Sequence, residues 1–202
     1  AIVKVTREAL EGAIVDLGNY LIGLLADGIA DEEDKQFLTG DGNNKPTGIL
    51  NASNVPTVNR AEASKVKFDD IVSMYKTMLS NARGAVPGAV WIINPGVIDQ
   101  LMLMTDPGSH YVWIPSAATG APGTLLGKPV LMSPHLPALG NKGDVIFANL
   151  SYYAIGDRED DRMERLVERY AEYDQVAFKY VKRLDGNVIF PKAFVILDQP
   201  AA

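Results

Sequence analysis

Residues 33–50 read Glu33-Asp34-Lys35-Gln36-Phe37-Leu38-Thr39-Gly40-Asp41-Gly42-Asn43-Asn44-Lys45-Pro46-Thr47-Gly48-Ile49-Leu50. Within a few residues the chain switches from helical patterning to turn chemistry. Upstream, Leu10, Ile14, Leu17, Leu21, Leu24, Leu25 and Ile29 recur at helical spacing. One long helix is therefore predicted from about Thr6 to Leu38, with Thr6 as N-cap and Glu8 at its positive end. Gly12, Gly18, Gly23 and Gly28 each weaken such a helix by roughly 0.5–1 kcal/mol relative to Ala. Either packing offsets that cost or a neighbouring element comes close along the glycine face. From Phe37 onward the Gly, Asn and Pro density predicts a structured loop, and periodicity stays low to about Lys65. An irregular stretch of that length is uncommon inside a compact domain. It is either functional or pinned against another surface.

Downstream, Ile71, Tyr75, Met78 and Leu79 share one side of a predicted helix over Phe68 to Asn81, ended by Arg83 and Gly84. Ala89-Val90-Trp91-Ile92-Ile93-Asn94 is a short apolar run rich in strand formers, stopped by Pro95, and predicts a buried strand. Val97 to Met104 predicts a short helix. Residues 106–123 form a second long loop carrying Tyr111, Trp113 and Ile114. Aromatics on such a loop pack beneath it or meet a partner. Strands are predicted at Lys128–Met132, Asp144–Ala148 and Tyr152–Ile155. Met163 to Val181 fits a helix by period, yet Val176 to Val181 alternates as a strand. Asp185-Gly186 between apolar runs predicts a hairpin joining strands at about 176–184 and 188–197.

The chain has 202 residues, 47% of them hydrophobic and 22% charged, which is the composition of a folded globular protein. There is no cysteine. Disulfide scaffolds, thiolate metal sites and cysteine nucleophiles are excluded. The formal charge of −6 makes the chain as a whole a poor partner for nucleic acid. No apolar run is long enough to span a membrane as a helix, and no secretory signal pattern opens the sequence.

Tests for chemistry fail one after another. The two histidines, His110 and His135, lack a second ligand at helical spacing. Asp157, Glu159, Asp160 and Asp161 are interleaved with Arg158 and Arg162, the pattern of a solvated, self-paired face. Asp31-Glu32-Glu33-Asp34 and Asp41 do not align with a calcium loop. Gly40-Asp41-Gly42 lacks the Lys-Ser/Thr of a phosphate loop, and no Gly-x-Ser-x-Gly elbow occurs. The Asn51-Ala52-Ser53 and Asn149-Leu150-Ser151 acceptors read as chance. By residues alone this is a mixed helix-and-sheet chain without an active site, whose function is its surface.

The order of short motifs adds to this. Glu33 to Leu38, Gly40-Asp41-Gly42, Lys45-Pro46-Thr47-Gly48-Ile49-Leu50, Trp91 to Pro95, Leu125-Leu126-Gly127-Lys128-Pro129-Val130, Tyr153 to Arg158, Arg183-Leu184-Asp185-Gly186 and Pro191-Lys192-Ala193-Phe194 follow in that sequence. The series resembles the major capsid proteins of tailed bacteriophages and prophages, of the Hong-Kong-97-type (HK97-like) fold, over nearly the whole chain. The resemblance implies an α+β subunit with a spine helix at Thr6 to Leu38. It implies a peripheral domain of residues 1–66 and 150–202, and an axial domain of 67–149 whose loop 106–123 points at the symmetry axes. It favours strands over helix at Met163 to Tyr170. It further implies a structural protein, not an enzyme, with no cofactor. Such a subunit self-assembles as hexamers and pentamers into a virion head enclosing double-stranded DNA, built in the host bacterial cytoplasm. A scaffolding protein, portal and maturation protease would be its partners, without sequence-specific nucleic-acid binding and without a membrane.

Subunit contacts are expected at Gly40, Asp41, Gly42, Asp106, His110, Tyr111, Trp113 and Arg158. Family members carry an N-terminal arm and an extended loop before the spine helix, which this sequence does not show. The chain alone is therefore expected as a monomer or small ring. Tyr170 to Val181 contains no Asn, with Asp174 the nearest candidate by position, so no Lys–Asn crosslink is expected. Three other readings remain: an encapsulin nanocompartment shell, a metal-dependent hydrolase using Asp157 to Asp161, and a binding module using Tyr111 to Ile114.

Overall fold

The computed structural model describes residues 1–12, 16–105, 113, 123–158 and 162–200. The chain runs β1 (Ile2–Thr6), α1 (Arg7–Gly12), α2 (Leu17–Thr39), β2 (Thr57–Asn59), α3 (Phe68–Asn81), β3 (Val90–Ile93), α4 (Ile98–Met102), β4 (Thr124–Leu125) and β5 (Lys128–Met132). It continues through β6 (Val145–Ala148), β7 (Tyr153–Asp157), β8 (Arg162–Leu166), β9 (Gln175–Val181), β10 (Leu184–Val188) and β11 (Phe194–Asp198). Two compact units result, one of residues 1–35 and 155–185, the other of 36–154 and 186–202. Strands β2 and β11, from outside residues 67–149, pair in the same sheet as β3, β5 and β6.

In the first unit β1, β9 and β8 form an antiparallel sheet in that order. Val3 and Arg165 both face Phe178 across the register. Period-two alternation puts Val5, Val176, Tyr180 and Met163 on the same face. The Phe178 ring lies 4.0 Å from where a Cβ on Gly18 would stand, so α2 packs beside this face at a distance that a larger residue would also allow. Segment Met163–Leu166 is strand, and the cross-strand pairing of Glu164 with Lys179 (3.3 Å) suits that register.

Two expectations are corrected here. The predicted continuous helix is divided into α1 and α2. Asp16 caps the second, its carboxylate accepting from the Asn19 amide at 3.1 Å and from the Asn19 side chain at 2.6 Å. A short acceptor at this point competes for the backbone and starts a new helix. The Asp185-Gly186 hairpin does not exist. Both residues lie inside β10, which pairs with β7, while β9 pairs with β1 and β8. Gly186 is there for close approach: a Cβ on it would stand 2.5 Å from the Tyr153 hydroxyl. Its carbonyl accepts from the Thr47 amide at 2.8 Å.

The second unit is built on the six-stranded sheet β2-β11-β6-β3-β5-β4. Its central strands are buried on both faces, which explains their unbroken apolar runs. Trp91, Ile93, Val145, Phe147, Val195 and Leu197 pack on one side with Ile71, Met74 and Met78 of α3. Ile92, Ile146, Ala148 and Phe194 pack on the other with Leu38, Ile49, Ala85 and Leu136. The α3 face is rotated from the predicted one: Met74 is fully buried, while Leu79 is 43% exposed. Asp70 fixes the start of α3 by accepting from the Lys67 and Ala61 amides, both at 2.9 Å.

Trp91 stacks on Phe147 with centroids 4.2 Å apart and donates its indole N–H to the Leu125 carbonyl at 2.9 Å. Trp91→Phe keeps most of the ring but strands that buried carbonyl. It is expected to lower unfolding stability by about 1–3 kcal/mol, measured by urea titration at unchanged slope.

Candidate functional site

The Gly40–Gly48 loop is held from four directions. The Gly40 amide donates to the Gln36 carbonyl (2.8 Å) and the Gly48 amide to the Gly40 carbonyl (2.9 Å). Asp41 and Thr47 form a β-bridge. The Asn51 side chain donates to the carbonyls of Thr39 (2.9 Å) and Gly40 (3.0 Å). The Tyr153 hydroxyl donates to the Thr47 carbonyl at 2.9 Å. Gly42 (φ 75°) and Asn44 (φ 55°) take left-handed backbone in the tip. Gly40 is buried, whereas Asp41 and Gly42 are exposed. So of the three predicted contact residues here, Gly40 supports the loop and the other two are presented on its surface.

The remainder of the irregular stretch is pinned rather than free. Arg60, fully buried, donates to the Asp144 carboxylate at 2.7 Å and to the carbonyls of Asp198 and Asn141 at 3.1 Å each. Farther along, Lys65 and Lys67 flank Glu62. Hydrogen bonds from Lys67 and then Lys65 hold the Glu62 carboxyl below its ordinary value. A lowered carboxyl contributes stability above its unfolded pKa that is lost as pH falls through the folded one. A carboxyl-carbon NMR titration is expected to find Glu62 protonating below the ordinary glutamate value.

Trp113, at 2% exposure, belongs to the core and lies against Gly123, where a Cβ would meet the indole at 2.6 Å. It is thus unavailable as an exposed contact in this chain. Arg158 is exposed, its amide bonded to the Arg183 carbonyl at 3.0 Å. Asp106, His110 and Tyr111 lie outside the described residues, as do Glu159, Asp160 and Asp161. Asp174 has a left-handed backbone (φ 50°) and pairs with Arg7 at 3.5 Å, a turn-closing position. Among the described residues no group of three or more His, Asp or Glu gathers as a metal site. No described helix is long and apolar enough to cross a membrane.

Sequence reasoning missed Asn51, Arg60, Asp144 and Tyr153 as the residues that fix the loops. Nothing in their spacing marks them: the Asn51 partners sit across an irregular loop, and the partners of Arg60, Asp144 and Tyr153 lie far off in sequence. It also missed how much of α2 is uncovered. Tyr20 and Leu24 are 60% and 51% exposed, and Asp27, Asp31 and Asp34 continue along the exposed side.

An uncovered long helix, open apolar side chains and loops braced by hydrogen bonds rather than arranged around a pocket are features of a subunit that packs against others. The comparisons agree. The described fold matches the capsid of an empty GTA particle with a TM-score of 0.85 at 25% identity, covering all of this chain and 72% of that one. It matches Gordonia phage Cozz at TM-score 0.70 and 13% identity, over all of this chain and 69% of that one. The holo-SrpI encapsulin complex from Synechococcus elongatus matches at TM-score 0.69 and 13% identity, over all of this chain and 75% of that one. Comparison with curated proteins returned no match. The fold is that of HK97-like shell proteins. The Phage capsid family model matches residues 1–199, and the chain belongs to that family.

Proposed function

We propose that this chain is the major capsid protein of a tailed phage or prophage, forming hexamers and pentamers that close into an icosahedral head around double-stranded DNA. The observation that carries this is the match to the GTA capsid over the whole chain at TM-score 0.85, together with the family match over residues 1–199. Scaffolding protein, portal and maturation protease are proposed partners, and the virion its location, assembled in the host cytoplasm. The exposed loop tip at Asp41–Gly42 and Arg158 are proposed subunit contacts, with Asp106, His110 and Tyr111 proposed at the axial loop. The unit of residues 1–35 and 155–185 takes the peripheral role in this reading. The unit containing the six-stranded sheet takes the axial one.

The encapsulin reading is kept because an encapsulin complex is among the structural matches, though at 13% identity. Contents separate the two. Negative-stain microscopy of the natural gene product, expressed with its upstream sequence, is expected to show closed, uniform shells. Nuclease-protected DNA in particles from the phage or induced prophage supports the phage reading. A packaged enzyme in place of DNA turns the assignment to a nanocompartment. Dispersed small particles, even with candidate scaffold co-expressed, overturn the shell reading.

A further inference from the structure

The first unit carries two exposed patches of opposite charge that make no ion pair with each other among the described residues. One is the outer side of α2. There Asp27 and Asp34 make no ion pair with any described residue, and Asp31 lies between them. Two helical turns separate the pair, about 10 Å along the axis. Tyr20 and Leu24 extend the same side as open apolar surface. Gly23 and Gly28 have nothing within 4 Å of where a Cβ would stand, so a neighbour can approach the helix backbone there.

The other patch is a shallow hollow lined by Arg165, Leu166, Val167, Glu168 and Arg169, at the end of edge strand β8. Arg165 and Arg169 are exposed and make no ion pair with a described residue. Arg165 lies in β8 and Arg169 in the turn that follows it, so the two are at most about 14 Å apart along the backbone. Val167, 40% exposed, supplies apolar surface between them. The two patches are thus opposite in charge at these four positions, with Glu168 between the arginines, and each has apolar surface beside the charges.

We propose that Asp27 and Asp34 of one copy dock on Arg165 and Arg169 of a second copy, with Leu24 against Val167. The occupant is a second copy of this chain because both halves of the match are on every copy. Two different patches meeting make a head-to-tail contact, the kind that closes into rings by rotation. This contact rests on the self-association reading and assigns residues to it. Aspartates facing arginines at an exposed interface give an association that weakens with salt.

The test uses charge exchange in the full chain, followed by sedimentation velocity at low salt and at about 1 M, where screening acts within roughly 3 Å. The wild type is expected to associate at low salt and to lose most of that association at high salt. D27R/D34R and R165D/R169D should each weaken self-association about tenfold or more, since two attractive pairs become repulsive. Mixing the two variants should restore association, because the reversed patches complement each other across copies. Far-ultraviolet circular dichroism unchanged in both variants separates loss of contact from loss of fold. If either variant misfolds, the milder D27N/D34N and R165Q/R169Q pair serves, with several-fold weakening expected. Variants that associate as the wild type does overturn this contact and leave the shell reading intact. A mixture that fails to recover also overturns it. A wild type that stays monomeric at low salt removes the contact, while the shell reading stands or falls on microscopy of the natural gene product.

Discussion

Gly40→Ala is expected to lower stability by about 3 kcal/mol or more, as a backbone clash that cannot be relieved by turning a side chain. A Cβ on Gly40 would collide with the Pro46 carbonyl oxygen and stand 2.5 Å from the Gln36 carbonyl oxygen. Both are main-chain atoms. Shifting the first pulls on the Gly48–Gly40 bond and the Asn51 donations, and shifting the second disturbs the last turn of α2. At this chain length the loss corresponds to a melting-point drop of roughly 6–12 °C. The contrast is Gly23→Ala, on the open side of α2, where nothing lies within 4 Å. There the substitution improves helix propensity and restricts the unfolded chain, and a gain of about 0.5–1 kcal/mol is expected. Calorimetry on both variants decides the matter. Equal melting points would mean that the Gly40 loop is not the rigid brace its hydrogen bonds describe.

This contrast also shows what local sequence carries and what it does not. The elements set by composition and period were legible: α3 at Phe68–Asn81 and β5 at Lys128–Met132 match their predicted spans. Their signals are short-range, an apolar face in one case and a run of strand formers in the other. The Asp185-Gly186 error has the opposite origin. A dipeptide that favours a hairpin turn was overridden by pairing with β7 and by the Tyr153 ring resting on Gly186. A local preference of about 1 kcal/mol is outweighed here by the β10–β7 pairing, the bond from the Thr47 amide to the Gly186 carbonyl and the burial of Gly186 itself. At Trp113 the loop position left packing beneath the loop or meeting a partner open, and the ring is buried in the core. The family motifs were legible as an ordered series, and their reasons emerge in three dimensions. Gly40 and Gly48 let backbone segments cross closely, and Tyr153 reaches back to Thr47. The open side of α2 was not legible, because exposure along that helix depends on which side the β1-β9-β8 sheet covers.

Arg60→Met is the second large effect expected, at about 3–5 kcal/mol, because it leaves the Asp144 carboxylate buried beside only the Gly140 amide at 2.9 Å. Arg60 and Asp144 have fully buried side chains, and the guanidinium ties together the end of β2, the turn before β6 and the end of β11. That clasp explains how residues after the Gly40 loop remain ordered without a helix or long strand of their own. The double variant Arg60→Met/Asp144→Leu distinguishes charge from bonding. If the cost is mainly an unpaired buried charge, removing both partners should recover about 2 kcal/mol or more of the loss. If the carbonyls of Asp198 and Asn141 matter most, the double variant stays as unstable as the single one, since both lose the same donor. Salt supplies an independent check. A dry pair is screened far less than an exposed one, so the Arg60→Met penalty should be nearly the same at low salt and at about 1 M, where the proposed α2–β8 contact between copies is lost. A penalty that shrinks with salt would mean that water reaches the clasp, and the loop it anchors would then be held by its own hydrogen bonds.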